Sequence, residues 1–189
     1  ALQMGRPESA LVHLLKVQPQ DSRDPILLTN VAQCYVEIAQ RRVWQSAWNR
    51  AEKWAQRAIK VNPQHGQAYF VLGLSTLRGD GDPAEAADLL KRAAELTPRS
   101  AQAAFYRGLA LRAADDTAGA KNAFRQAIER QSTYARARCE LARLLLEEGD
   151  YGEALRQAQL AFKIEKTVPI RKLIQQIRQA QQQNPQKTQ

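Results

Sequence analysis

The residue types that most often carry catalysis or bind metals are sparse in this chain. Of its two histidines, His13 lies in an amphipathic segment and His65 in the turn-forming stretch NPQHGQ, and neither belongs to a metal or acid–base spacing such as HExxH. Cys34 and Cys139 form neither a CxxC pair nor a metal-ligand spacing. Glycine-rich phosphate loops and GxSxG motifs are also absent from the sequence. The sequence therefore predicts no catalytic residue, no metal site and no cofactor, and we expect a protein that is not an enzyme.

One stretch does combine basic with aromatic side chains, which is the composition of single-strand nucleic-acid binding. The segment Arg41–Lys60, RRVWQSAWNRAEKWAQRAIK, contains six basic residues and three tryptophans. Helical spacing, however, puts Trp54 beside an alanine face and the arginines on the opposite, solvated side. Trp44 and Trp48, four residues apart, either seal a long helix pair, which we favour, or form a partner patch. Nucleic-acid binding by this segment is the alternative hypothesis for function.

Composition indicates a helical protein with a basic surface. The 189 residues carry a net charge of +9, and Ala, Leu, Gln and Arg, which lose little entropy in a helix, dominate. A basic surface attracts nucleic acid, anionic lipid or acidic proteins without choosing among them. No stretch approaches the ~18 apolar residues of a membrane-spanning helix, so we expect no membrane contact through this segment. The chain begins without Met, so we expect a fragment of a larger or anchored protein. We also expect a bacterial source, and the cysteines leave cytoplasm and periplasm open.

A period of 34 residues organises the centre of the chain. Several columns of small, acidic or bulky residues recur at this step: Ala86, Ala120 and Ala154; Ala93, Ala127 and Ala161; Asp82, Asp116 and Asp150; Leu90, Phe124 and Ala158. Helical propensity alone does not produce several columns with one period, and periods of about 20–50 residues are typical of stacked repeat architectures. Because the Asp column falls in GDGDP-like stretches, we predict that these acids form turns and are not catalytic.

Each repeat is predicted to be two helices joined by a short turn. The first helix has a small residue where it should contact the second, namely Gly73, Gly108 or Ala142. Since Ala142 serves as well as glycine, the requirement at this column is interpreted as small volume. Gly108→Ala is therefore expected to be neutral or mildly stabilising, because Ala favours helix.

The pattern of a small residue, then Gly-Asp, Ala, a bulky residue, Ala and Pro resembles the tetratricopeptide repeat (TPR) family. The resemblance implies an all-α, right-handed solenoid of helix-turn-helix repeats. Residues 1–20 are identified as the partial helix of a truncated repeat, and four repeats follow at 25–63, 66–98, 101–132 and 135–166. The first of these has seven extra residues between its halves, which predicts longer helices. Arg107, Arg138 and Ser132 depart from the family pattern, the last by replacing the closing Pro.

The end of the chain is predicted to be a capping helix. VPIRKLIQQIRQAQQQ places Ile170, Leu173, Ile174, Ile177 and Ala180 on one face, and Gln and Arg on the other. Stacked repeats need a one-sided terminal helix to cover their last apolar face. We therefore assign 167–183 to a C-terminal capping helix, with Thr167 as its cap and Pro169 in its first turn, and 184–189 to a disordered tail.

A second stripe remains on each first helix after its packing face is assigned. It contains Gln67, Phe70, Leu74, Arg78, Gln102, Phe105, Leu109, Arg112, Arg136, Cys139 and Arg143. In the family that this sequence resembles, such a stripe lines the inner surface and holds an extended peptide or a helix. The alternative is that these residues only contact the neighbouring repeat. We favour a groove with a partly exposed apolar floor and arginine edges, in a scaffold that binds an acidic segment of another protein; self-association stays open.

Overall fold

The computed structural model describes residues 7–17, 19–42 and 44–184. Within these ranges the chain forms ten α-helices, one short 3₁₀ helix (Pro19–Asp21) and no strand. The α-helices are α1 (Pro7–Lys16), α2 (Pro25–Arg42), α3 (Gln45–Val61), α4 (Gly66–Arg78), α5 (Pro83–Leu96), α6 (Ala101–Ala113), α7 (Thr117–Arg130), α8 (Ala135–Glu148), α9 (Tyr151–Ile164) and α10 (Val168–Gln183). The predicted all-α class is confirmed. Residues 1–6 and 185–189, at the outer ends of the predicted N-terminal segment and tail, lie outside the described residues.

The helices group into two compact units, 1–98 and 99–189. In unit 1, α2 packs on α3 and α4 on α5 as helix-turn-helix pairs, and α1 packs against α2. In unit 2, the pairs are α6 with α7 and α8 with α9, and α10 packs against both α9 and α8. The four pairs fall within the four repeats predicted from the sequence.

The recurring aspartates begin the second helices of three pairs. Each occupies the N-cap position, and its carboxylate accepts a hydrogen bond from a backbone N–H of the first helical turn. The bonds run from Ala84 N to Asp82 (2.9 Å), from Gly119 N to Asp116 (2.8 Å) and from Glu153 N to Asp150 (3.1 Å). Such caps satisfy otherwise orphaned N–H groups and place negative charge at the positive end of the helix dipole. The repeated Asp is thus a helix-starting residue.

The glycines of the small-residue column face large side chains of the second helix. A Cβ built on Gly108 would lie 2.5 Å from Cε1 of Phe124, and one on Gly73 would lie 2.8 Å from Cγ of Leu90. Both distances are well below the ~3.5–4.0 Å of an ordinary carbon contact. A side chain at either of these two positions would force the large residue opposite it to move.

The same column explains why alanine suffices in the last repeat. There Ala142 is fully buried, and the position matching Phe124 is occupied by Ala158, also fully buried. The α8–α9 pair thus has alanine at both positions, whereas glycine faces a large residue in the two preceding pairs. The contact distances at Gly108 argue against the expectation that Ala would serve equally well there, because the space at each position depends on its partner.

In unit 2, Arg138 and Ser132, which both depart from the repeat pattern, compensate each other. The guanidinium of Arg138 donates to the backbone oxygen of Ser132 at 2.8 and 3.2 Å and to Oε1 of the buried Gln157 at 2.8 Å. Partial burial lowers the pKa of Arg138, and nearby Arg156 adds to the effect. Arg138 therefore holds the α7–α8 turn at the place where Ser132 replaces the usual proline.

The first repeat has longer helices, as its extra residues predicted. Helices α2 and α3 contain 18 and 17 residues, whereas the other six paired helices contain 13 or 14. Trp48 is buried at 7% exposure and seals this repeat, but Trp44 is 55% exposed. The prediction that both tryptophans seal the long helix pair is therefore wrong for Trp44. This residue precedes α3 in an extended conformation (φ −104°, ψ 98°).

Helix α10 covers the end of unit 2. Ile170, Leu173 and Ile177 are buried, and Ile170 belongs to a cluster with residues of α8 and α9. The capping helix is confirmed, although Thr167 stands at its N-cap without a side-chain cap bond. The backbone N–H of Asn184, assigned to the disordered tail, donates to the Ala180 oxygen and closes the helix.

Candidate functional site

The predicted stripe divides into exposed polar and buried apolar residues. Its polar members are exposed in both units: Gln67, Arg78, Gln102, Arg112, Arg136 and Arg143. Leu109 and Cys139 are half-buried, and Leu74 is buried. The expectation that Phe70 and Phe105 would be partly exposed is wrong, since they are 6% and 1% exposed. Any ligand of this surface thus meets mainly polar and charged side chains.

Phe105 is the centre of an aromatic cluster in unit 2. Its ring centroid lies 5.1 Å from that of Tyr134, 5.3 Å from that of Tyr106 and 5.8 Å from that of Phe124. The guanidinium carbon of Arg136 lies 5.0 Å from the Phe105 centroid, within the range of a cation–π contact. Phe105 consequently acts as a core residue that supports and orients an exposed arginine. Tyr134 lies outside the repeat columns, so the sequence did not point to it.

Three stripe residues of α8 lie along one pocket in unit 2. The pocket has a volume of about 180 Å³ and is bounded by α8, the α9–α10 link and the start of α10. It is lined by Ala135, Arg136, Cys139, Glu140, Arg143, Glu165, Thr167, Pro169, Ile170 and Leu173. The sequence predicted Arg136, Cys139 and Arg143 but missed the α10 wall, because the stripe was taken from first helices alone.

The charges around this pocket are unevenly paired. Glu140 forms an ion pair with Arg112, and its Oε1 lies 4.0 Å from Nε of Arg143. In the described part of the chain, Arg136 has no carboxylate within 4.0 Å. Residues 99–189 contain 16 Lys and Arg against 9 Asp and Glu, whereas 1–98 contain 12 against 10. Most of the net positive charge therefore belongs to unit 2.

The cysteines are protonated thiols. Burial raises the pKa of Cys139 to about 11, with Arg143 opposing the shift and Glu140 and Glu165 adding to it. Burial also raises the pKa of Cys34 to about 11. Because the thiolate is the reactive form, Cys139 is an apolar contact in the pocket wall and a poor nucleophile.

Neither a metal-binding cluster nor a membrane-spanning helix is found among the described residues. Across 7–17, 19–42 and 44–184, no group of three or more His, Cys, Asp or Glu could hold a metal ion. Over the same residues, no helix combines the length and apolarity needed to cross a bilayer.

The tryptophans of the Arg41–Lys60 segment do not form a stacking surface. Trp48 is buried, and Trp54 packs against the cluster of Leu28, Ala58 and Ala68. Only Trp44 among the three is exposed, whereas single-strand binding uses successive exposed rings. This burial pattern and the small charge excess of 1–98 weigh against the nucleic-acid alternative.

The helix-turn-helix pairs, their Asp caps and their small-to-large contacts define a helical-repeat protein. Family models described as Tetratricopeptide repeat match residues 75–120 and 111–177, which together span more than half of the chain. The chain belongs to the tetratricopeptide-repeat family. Members of this family are in general protein-interaction scaffolds and are typically non-catalytic. No curated protein is a significant sequence match.

Solved structures with the same fold share little sequence with this chain. The crystal structure of MamA is 21% identical with a TM-score of 0.74, and the match covers 87% of this chain and 91% of that one. YrrB, described as a TPR protein with an unusual peptide-binding site, is 18% identical with a TM-score of 0.72, covering 92% and 86%. TTC0263, a thermophilic TPR protein of Thermus thermophilus, is 23% identical with a TM-score of 0.68, covering 95% and 92%. At these identities the likeness establishes the fold alone.

Proposed function

We propose that this chain is a scaffold that binds an acidic peptide or helix of a partner protein, with the α8–α10 pocket as a principal contact. The observation that carries the proposal is that Arg136, Cys139 and Arg143, which share one stripe in the sequence, line a single pocket. The exposed Gln102 and Arg112 extend the same chemistry along unit 2, and Gln67 and Arg78 present it in unit 1.

Arg136 is the strongest candidate for the carboxylate contact. Its guanidinium is held against the Phe105 ring and is not neutralised by a described acid. A guanidinium can donate two parallel hydrogen bonds to one carboxylate, and restraint of its side chain before binding reduces the entropy lost on binding. Cys139, Ile170 and Leu173 supply apolar surface for a neighbouring side chain of the ligand.

The two glutamates of the pocket restrict the orientation in which a ligand can bind. Glu140 is compensated by Arg112 and Arg143, and Glu165 lies on the α9–α10 link. A ligand carboxylate is attracted to Arg136 but repelled near Glu165. Backbone N–H groups of the ligand, in contrast, find acceptors at both glutamates. We therefore expect one orientation of the bound segment.

Peptide binding also agrees with the description of a structural neighbour. YrrB, whose fold matches 92% of this chain, is described as having a peptide-binding site. The acidic specificity proposed here comes from the arginines and charge excess of unit 2, and not from that likeness.

The test is to select peptides from a phage-displayed random library on the purified protein and to measure their affinities by titration calorimetry. We expect selected peptides to be rich in Asp and Glu. Arg136→Glu should weaken binding by about tenfold or more, as loss of a central arginine contact commonly does. Arg125→Glu makes the same charge change on an exposed residue of α7 outside the pocket and is the matched control. Equal loss in both variants, or none in Arg136→Glu, would refute the proposed site.

A further inference from the structure

A second pocket lies in unit 1, enclosed by α1, α2 and the start of α3. Its volume is about 260 Å³. Leu11, Tyr35 and Ile38 line it and are buried, whereas Val12 and Trp44 line it and are each 55% exposed. The pocket thus has an apolar interior and an exposed apolar rim, of which one member is a tryptophan.

The longer helices of the first repeat build this pocket. Helix α2 has 18 residues where the other first helices have 13 or 14, and Ile38 lies in its last turns. Trp44 lies in the link between α2 and α3, and Ser46 and Ala47 lie in the first turn of the long helix α3. The pocket is therefore a feature of this repeat and not of the repeat pattern in general.

A cation is available beside the apolar interior. The guanidinium carbon of Arg50 lies 5.7 Å from the Tyr35 ring centroid, and Arg50 also lines the pocket. Within the described residues Arg50 has no ion pair within 4.0 Å. Glu8, the acidic residue of the lining, has an interaction of its own. Arg50 is thus the charged residue of the lining that is still able to pair with a ligand, and its charge is positive.

We infer that this pocket binds a bulky apolar side chain of a partner protein that stands next to an Asp or Glu. The apolar side chain would enter between Val12 and Trp44, and the carboxylate would pair with Arg50. A volume of about 260 Å³ is below the ~300–1,000 Å³ of sites for drug-sized ligands, which favours a protein side chain over a free cofactor. Tryptophan and arginine are also the residues most enriched among those that dominate interface energy.

This site is separate from the proposed function of unit 2, because its lining residues all lie in 8–50. A partner could use it whether or not the α8–α10 pocket binds peptide. Variants of the two sites therefore distinguish failure of one proposal from failure of the other.

The pocket chemistry can be tested directly with anilinonaphthalene sulfonate, whose fused rings and sulfonate copy an apolar group beside an anion. We expect the dye to bind the folded wild-type protein, and Trp44→Ala and Arg50→Gln each to weaken binding by about tenfold. Ile26→Ala, which removes another exposed apolar side chain outside the pocket, should leave dye binding unchanged. Circular dichroism melts confirm that each variant is folded. Dye binding that is absent, or unaltered by both pocket variants, overturns the inference.

The nature of the partner is tested by selecting peptides from a random phage library on the wild type and, in parallel, on Trp44→Ala. The inference requires peptides that bind only the wild type and that contain a bulky apolar residue beside Asp or Glu. Their binding should survive Arg136→Glu, which alters only the unit 2 pocket. Selection of Lys- or Arg-rich peptides, or of no peptide that depends on Trp44, would contradict it.

Discussion

Replacing Gly108 by alanine tests whether packing or helix propensity governs the small-residue column. The new Cβ would lie 2.5, 2.7 and 3.0 Å from Cε1, Cδ1 and Cζ of Phe124, so the ring must move by about 1 Å to restore normal contact. Phe124 is fully buried and its centroid lies 5.8 Å from that of Phe105, itself 1% exposed. The ring therefore has little room to move.

The two opposing contributions can be compared. Overpacking of a well-packed core costs about 1–3 kcal/mol, and the rigid surroundings of Phe124 favour the upper half of that range. Glycine to alanine inside a helix gains about 1 kcal/mol. We expect Gly108→Ala to lower the free energy of unfolding by about 1–2 kcal/mol, which is the opposite sign to the expectation from the sequence.

A double-mutant cycle isolates the contact. Phe124→Ala alone should cost about 3–5 kcal/mol by leaving a cavity. In that background, Gly108→Ala should stabilise by about 1 kcal/mol, because the pair then matches Ala142 and Ala158. The coupling between the two substitutions is accordingly about 2–3 kcal/mol. If Phe124→Ala is too unstable to fold, Phe124→Leu replaces it in the double-mutant cycle.

Urea denaturation followed by circular dichroism measures these differences. All three tryptophans lie in 1–98, so tryptophan fluorescence reports unit 1 while dichroism reports the whole chain. Gly152→Ala is the matched control, since a Cβ there would find its nearest atom, Asp150 Oδ1, at 3.9 Å. It should be neutral or stabilising. A stabilising Gly108→Ala, or a coupling energy below about 0.5 kcal/mol, would refute the packing explanation.

Three further predictions concern buried polar groups. Ser75→Ala should raise the free energy of unfolding, measured by urea titration, by about 1 kcal/mol. The reason is that the buried Ser75 hydroxyl oxygen has no hydrogen-bond partner among the described residues. A loss of stability would show that the hydroxyl is satisfied. Arg138→Met should lower the free energy of unfolding by about 1–3 kcal/mol in the same assay, because Gln157 and the Ser132 carbonyl lose their donor. Arg138→Lys should recover only part of that loss. A neutral Arg138→Met would contradict the role of these hydrogen bonds. Burial holds the pKa of Cys34 at about 11 against its ordinary 9.0, so above pH 9 this thiol ionises first in the unfolded chain. Its contribution lowers stability by about 2 kcal/mol as pH rises to 11, in addition to that of Cys139. Cys34→Ala should reduce that fall, and an unchanged pH profile would contradict it.

The sequence predicted the repeats because their columns record packing inside each helix pair. It did not predict the burial of Phe105, since a helical stripe identifies the face of a residue but not what covers that face. Here Tyr134, which precedes α8 and lies outside the columns, supplies part of the cover. Trp44 was misjudged for a related reason: four-residue spacing to Trp48 places both rings on one face only if both belong to a helix, and α3 begins at Gln45.

The contact pattern of the helices has a consequence for synthesis of the chain. Within the described residues of each unit, substantial contacts join helices that are consecutive or next but one in sequence. Such local topology closes short loops and allows folding in microseconds to milliseconds, whereas the ribosome adds only ~5–20 residues per second. Within a unit, each helix pair can therefore pack against the pair made before it faster than the ribosome adds the next residue. Trp48 of α3 shows this order, because a Cβ built on Gly79, at the end of α4, would lie only 3.5 Å from its Cβ, so its burial is completed when α4 is added.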